Sequence, residues 1–374
     1  AVYSTPRRLT LYITKLAKKQ KDKKESVRGP AHEIAFDENG KATKAGLGFA
    51  RSQGMEVKEL ETREGYLYAD KIEEGKKTEE ILDKILIKLM EEINFPKSMR
   101  WGNMNFRFIR PIKWLTAKFG EKDIKFEIAG VESKPYSYGH RFLTNEALEI
   151  CKAKDYFKVL EENYIIVNQE KRREMIIDQI NNLKEIKGEV VILEDLLSEV
   201  VELVEYPTAF CGSFSKEYLK IPDDVLITSM VEHQRYFPTK KENDNLDNLF
   251  VGVRDGIEDN IEIVKEGNEM VLEGRLADAR FFFEEDQKKK FSNRKEDLKN
   301  VVFKEELGSL YDKVLRLENL SQKIAKEYDM STEKIDNLIR AAELSKNDLV
   351  TEMVNEFAKL QGIMGAEYAK LADE

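Results

Sequence analysis

The chain has 374 residues, with 62 Lys and Arg against 71 Asp and Glu, and a formal net charge of -9 at pH 7. That length is enough for two or three domains with cores of their own, and 41% hydrophobic residues with 36% charged excludes a disordered tail. No window approaches the roughly 18 consecutive apolar residues of a membrane span, and the opening AVYSTPRRLTLYITKLAKKQ lacks the apolar core of a secretion signal, so the cytoplasm is the expected compartment. The acidic balance argues against indiscriminate nucleic-acid binding while leaving room for a local basic patch. Cys151 and Cys211 have neither metal-ligand nor disulfide-framework spacing and are expected as reduced structural thiols. Starting without Met inside a strand-like run and stopping just after a helical one, the sequence is expected to be a fragment of a longer protein.

Along the first 76 residues, strand-like runs from Leu9 to Leu16 and from Tyr66 to Ile72 alternate with basic, turn-rich connections, which predicts an α+β region. Thr78 is expected to N-cap an amphipathic helix carrying Ile81, Ile85, Leu89 and Ile93, stopped before Pro96. The run AKFGEKDIKFEIAGVES reads as a two-strand unit. From 144 to 206 the pattern is mainly helical, with Gly188 as the C-cap of its longest helix. Residues 207–256 return to strands, TAFCGSF, QRYFPTK and LFVGVRDG, around one helix. From Gly267 onward nearly everything is expected to be helical, with Leu272, Leu276, Ala279 and Phe283 in one apolar stripe and Lys288 to Lys290 at its C-terminal end. Domains are expected at 1–143, 144–300 and 301–374.

Several self-contained chemistries find no support. There is no GxxxxGK loop, and GLGFAR at 46–51 has Arg51 where the third glycine of GxGxxG belongs. His32, His140 and His233 stand apart, without HExxH or a Cys-rich partner set, and no GxSxG elbow occurs. No catalytic residue and no metal ligand is assigned.

The distinctive stretch is MRWGNMNFRFIRPIKW, residues 99–114. From Lys97 to Lys118 there are six basic residues and no acidic one, interleaved with aromatic rings. Guanidinium groups for phosphates and rings for unpaired bases are what RNA binding uses. In a strand running from Asn105, however, cations and apolar residues would not sort cleanly onto two faces, so a core of aromatics with a solvated basic edge also fits. In SYGHRF, Gly139 suggests a turn exposing His140 and Arg141, and MVEHQRYFPTK places His233, Arg235, Tyr236 and Lys240 where a helix gives way to a strand. In GRLADARFFFEED, Arg275 with Asp278 and Arg280 with Glu284 have helix-pair spacing, an architectural pattern.

Taken together, TPRRL (5–9), RGPA (28–31), MRWG (99–102), FIRPI (108–112), GHRF (139–142), QRYFP (234–238), GNEMVLEGRLADARFFFEEDQKKK (267–290) and LSKNDLVTEMVNEFAKLQGIMGAEYA (344–369) resemble the β subunit of the bacterial two-subunit glycyl-tRNA synthetase. The resemblance covers essentially the whole chain and lacks the family's extreme amino-terminal strand and its carboxy-terminal helical and anticodon-binding parts. It implies a B3/B4-like mixed α/β region, like that of phenylalanyl-tRNA synthetase, followed by a helical domain similar to HD phosphohydrolases. It also implies that a separate α subunit activates glycine with ATP and Mg, that this chain binds no cofactor, and that its partners are that subunit and tRNA(Gly) in an α2β2 assembly, without membrane or DNA. Where an HD enzyme presents its His-Asp doublet this sequence reads LSKNDLV, and no His follows His233, so Asp348 is expected as a relic of the fold. Arg100, Trp101, Arg107, Arg110, Lys113, His140, Arg141 and Arg235 are the candidate RNA contacts. The alternatives are an editing deacylase or HD-type phosphohydrolase, and a scaffold for the α subunit with little RNA contact.

Overall fold

In Tyr66–Glu73, alternation sends Leu67 and Ala69 to one side, both fully buried, and makes this the central strand of a three-stranded antiparallel sheet between Lys23–Ala31 and Glu61–Arg63. The computed structural model describes residues 1–100 and 102–374. These form two compact units: residues 1, 11–139 and 145–160 make the first, and residues 2–10, 140–144 and 161–374 the second. Both mix helix and sheet, as the α+β expectation requires.

In the first unit, helix Lys44–Gln53 is capped by Thr43, whose side chain accepts from the Gly46 N–H, and buries Ala50. The predicted amphipathic helix forms as Leu82–Glu92, but Thr78 is not its cap. Thr78 instead starts a separate short turn, and its hydroxyl donates to the Ala17 carbonyl at 2.5 Å. Two further expectations change locally. The run predicted as one strand over Leu9 to Leu16 is a strand only as Arg8–Leu11, and Ala147–Glu149, read as helical, pairs antiparallel with Tyr136–Tyr138.

The second unit is built on a four-stranded antiparallel sheet in the order Glu189–Val190, Phe237–Lys240, Leu246–Asp255, Pro207–Ser213. The strands predicted over 207–256 are all present. Alternate residues face opposite ways: Phe237 and Val251 join Ile176, Ile180, Leu197 and Val200 from helices Gln169–Asn181 and Glu194–Leu203. Tyr236 and Phe250 join Leu272, Leu276 and Ala279 from helix Ile261–Gln287. The apolar stripe is therefore core on its predicted face. Gly188 is not a helix cap, because that helix already ends at Asn181. A Cβ on Gly188 would lie 1.9 Å from the Lys240 carbonyl oxygen, so only glycine lets the two strands meet there.

Beyond Gln287 the chain is mostly helical, through Leu310–Glu327, Thr332–Leu344 and Ile363–Leu371. Position 300 does not interrupt the core: Leu344, Met353, Phe357, Met364 and Tyr368 lie in the same cluster as Leu272 and Leu276. Near the end of the long helix lies buried Asp286, which accepts from Arg294 Nη2 at 3.0 Å, the Glu352 and Met353 N–H groups at 2.9 and 3.0 Å, and the Tyr368 hydroxyl at 2.8 Å. Arg280 and Glu284 approach to 3.9 Å as their spacing predicts, whereas Arg275 reaches Glu356 at 3.8 Å rather than Asp278. Cys151 and Cys211 are both free, and burial pushes the Cys211 thiol up to about 11. Among the described residues no helix is long and apolar enough to cross a membrane.

Candidate nucleic-acid interface

The basic stretch is not the strand expected from Asn105. Residues 102–117 contain only single bridges, and Met99 and Phe108 exchange backbone hydrogen bonds at 2.9 and 3.2 Å, closing a loop that turns at Gly102 with φ of 58°. Pro96 and Pro111, which cannot donate to a ladder, flank this loop and prevent its extension into a sheet. The Phe108 ring meets Phe95 edge-on at 4.8 Å and Phe106 at 5.8 Å. The aromatics thus supply the loop with a small core of its own, one half of the alternative in which rings are core and cations a solvated edge.

The cations do not share that core. Arg100, Arg107, Arg110 and Lys113 are exposed, and none of them makes an ion pair among the described residues. Among the described residues Arg107 hydrogen-bonds to Ser98, its Nε donating to Oγ and its Nη2 to the carbonyl, each at 3.2 Å. Elsewhere in this acidic chain several half-buried arginines do find carboxylates: Arg173 reaches Glu194 at 2.5 Å and Arg340 reaches Glu343 at 2.7 Å. Four unneutralised cations on one loop are what a polyanion requires. Trp101, the remaining candidate of the stretch, lies outside the described residues.

The other three candidates belong to the second unit and divide among themselves. His140 is fully buried, which corrects the expectation that the Gly139 turn exposes it. Its Nδ1 accepts from the Phe142 N–H at 3.4 Å, which leaves the proton on Nε2, 3.2 Å from Asp255 Oδ1. Burial would raise the Asp255 carboxyl, but His140 and the N–H groups of Tyr206 and Glu205 outweigh it and hold that group below its ordinary range. Arg141 stays exposed, its guanidinium 5.6 Å from the ring centre of Phe142, itself 78% exposed. Arg235 differs from the cations of the basic loop: its Nε is 2.8 Å from Glu199 Oε1 and it also donates to the Glu232 carbonyl, so it already has a carboxylate neighbour. Next to it Tyr236 stacks on Phe250 at 4.5 Å, and burial raises its hydroxyl to about 12.

The groups that organise the second unit were not among the candidates. In TPRRL, the Thr5 hydroxyl and Arg8 Nη1 donate to Glu205 Oε1 at 2.7 and 2.5 Å, and Arg7 Nη1 lies 3.4 Å from Oε2. Glu205 is fully buried, so this motif ties the amino-terminal residues to the end of helix Glu194–Leu203. The sequence signal was present: two adjacent arginines in a strand-like run need an acidic partner somewhere. Asp348 is 1% exposed, and its Oδ2 accepts from the N–H of Gly362, whose φ is 83°. The doublet's aspartate therefore serves a turn. Among the described residues no group of three or more His, Cys, Asp and Glu is arranged to hold a metal ion.

Comparison with known proteins extends the geometry. Residues 1–374 match the family model described as glycyl-tRNA synthetase beta subunit. The chain is 55% identical over 373 residues to the glycine--tRNA ligase beta subunit of Halothermothrix orenii, covering all of this chain and 54% of that protein. It is 48% identical over 377 residues to that of Clostridioides difficile, covering all of this chain and 54% of the relative. The Bacillus subtilis protein of the same description is 44% identical over 378 residues, again with all of this chain and 55% of the relative covered. The chain thus spans about half the length of the curated relatives it matches.

Proposed function

Because the chain belongs to the glycyl-tRNA synthetase beta subunit family, we propose that it is the RNA-holding, non-catalytic part of a two-subunit glycine–tRNA ligase. In this reading it binds tRNA(Gly) in the cytoplasm and supports glycylation at an active site on the α subunit, where ATP and Mg are bound, within an α2β2 assembly. The finer fold assignment, a B3/B4-like mixed region followed by a degenerate HD-like helical part, belongs to the same proposal. One observation supports RNA contact above the rest: Arg100, Arg107, Arg110 and Lys113 are exposed and, among the described residues, without carboxylate partners on an acidic chain.

The test is a titration of the chain with tRNA(Gly) at several salt concentrations. Replacing Arg107 and Arg110 together by alanine is expected to weaken binding and to lower the slope of log affinity against log salt by about 0.7 to 0.9 for each phosphate left without its cation. Unchanged affinity and slope would make the arginines a solvated edge and remove the RNA role from this loop.

A second reading, contact with the α subunit, is favoured by the long helix. Ile263, Met270 and Phe281 lie seven and eleven residues apart, which puts them on one helical face, and they are 68%, 69% and 57% exposed. A row of large apolar side chains suits a protein partner better than a phosphate backbone. Met270→Glu combined with Phe281→Glu is expected to abolish co-purification with the α subunit while leaving the thermal midpoint of the chain unchanged. Retained co-purification would place the α contact elsewhere.

A further inference from the structure

The basic loop ends at a cleft that shares only Lys113 with the four exposed cations. Residues 113–116 run beside 133–136: Lys134 N–H donates to the Leu115 carbonyl at 2.8 Å and the Thr116 hydroxyl donates to the Tyr136 carbonyl at 2.5 Å. Between them opens a cavity of about 420 Å³, inside the size range of small-ligand sites. Alternation along the extended chain brings Lys134, Tyr136 and Tyr138 to one side, with Ser137 buried on the other. The Trp114 ring meets Tyr138 at 5.1 Å and 62°, and Tyr136 meets Tyr138 at 5.8 Å and 89°. Lys113 and Lys134 stand exposed on the lining, as do Glu127 and Glu132, and none of these four makes an ion pair among the described residues. The opposite wall is a tight turn in which Gly130 has φ of 72°. That left-handed backbone favours glycine, and the Met104 side chain of the basic loop lies over it.

Rings of this kind stack on the face of an unpaired base, lysines donate to its phosphate, and carboxylates can only accept hydrogen bonds from its edge. We propose that the cleft holds one unpaired nucleotide of the bound RNA, its base against Trp114 and Tyr136, its phosphate on Lys113 and Lys134, and its edge on Glu127 and Glu132. The proposal rests on the RNA-binding reading. It adds a preference: the exocyclic amino groups of cytosine and adenine each offer two N–H donors to the carboxylates, whereas uracil offers only its N3–H, flanked by two carbonyl oxygens that repel them.

The experiment uses fluorescent hexamers of cytidine, adenosine and uridine with the 374-residue chain at fixed salt. Cytidine and adenosine hexamers are expected to bind more tightly than the uridine hexamer. Trp114→Leu and Tyr136→Leu are each expected to weaken cytidine-hexamer binding about five- to a hundredfold, the range for removing one base stack. Glu132→Gln, at an exposed position where folding is not at risk, is expected to erase the preference for cytidine over uridine. If the folded Trp114 and Tyr136 variants bind like the unaltered chain while Arg107→Ala with Arg110→Ala weakens binding, the cleft proposal is wrong and the loop reading stands. If only the cleft variants bind more weakly, the cleft proposal stands and the loop reading is wrong. An unaltered preference in Glu132→Gln overturns the edge contact, and competition by free CMP as effective as that by the hexamer overturns the strand-borne site.

Discussion

Arg172→Met is expected to lower the stability of the second unit by about 3–5 kcal/mol, the range for removing one member of a buried charged network. Arg172 is fully buried, and its guanidinium donates to four backbone carbonyls: Val201 at 2.9 Å, Ile166 at 2.7 Å, Val167 at 3.0 Å and Ser4 at 2.8 Å. Its closest carboxylate oxygen, on Glu202, is 3.7 Å away. Burial lowers its pKa and the carboxylates of Glu202, Glu205 and Asp255 push back. Methionine keeps much of the aliphatic stem and removes every donor, leaving those carbonyls without the partners that made their burial tolerable. Arg173→Met, one residue on, is the control. Its ion pair with Glu194 lies at the surface, with Arg173 itself half-buried, so its removal is expected to change stability by less than about 1 kcal/mol. Urea midpoints at unchanged m-value report both. If the two variants melt together, the hydrogen bonds to those four carbonyls contribute little.

Asp286→Ala is expected to have a comparable effect, again about 3–5 kcal/mol. It would act on the junction between the long helix and the last helical segments. Its carboxylate gathers one guanidinium, two backbone N–H groups and one phenol, and Arg294, only 7% exposed, would be left with a buried charge facing a void. Burial first and Asp286 second push the Tyr368 hydroxyl above its ordinary value, so the alanine variant should also bring that titration down toward the usual tyrosine range. Ultraviolet titration reads the second effect independently of stability. Asp286→Asn retains an acceptor and should fall between the parent and the alanine variant. An alanine variant as stable as the parent, with Tyr368 unmoved, would show that Asp286 is not what joins these segments.

How much of this could be read from the residues alone depends on periodicity. Helices Gln169–Asn181 and Glu194–Leu203, the strands of 207–256 and the Leu272, Leu276, Ala279 stripe were readable because apolar spacing reports burial directly. The polar hubs were not, because a charged side chain reads as solvent-facing until its partners are known. Yet Arg172 lies four and eight residues before Ile176 and Ile180, both buried, and Asp286 lies seven residues after buried Ala279. Each stands on the buried face of its helix, where a charge calls for a partner. The basic loop misled in a different way. Its composition suggested a strand, but two prolines and a left-handed Gly102 fold it back, and it is there that the unanswered cations remain. His140 and Arg235 resembled exposed contacts because sequence cannot show the acidic residues, Asp255 and Glu199, that engage them.

The bond from Thr5 to Glu205 joins residues 200 positions apart, and the intervening chain builds most of the first unit before the second receives its closing partner. On a ribosome working at about 5–20 residues per second, the amino-terminal segment therefore waits on the order of 10–40 s for its acceptor to emerge. Until then that segment has nothing to dock on, so the second unit closes only after most of the first has been made.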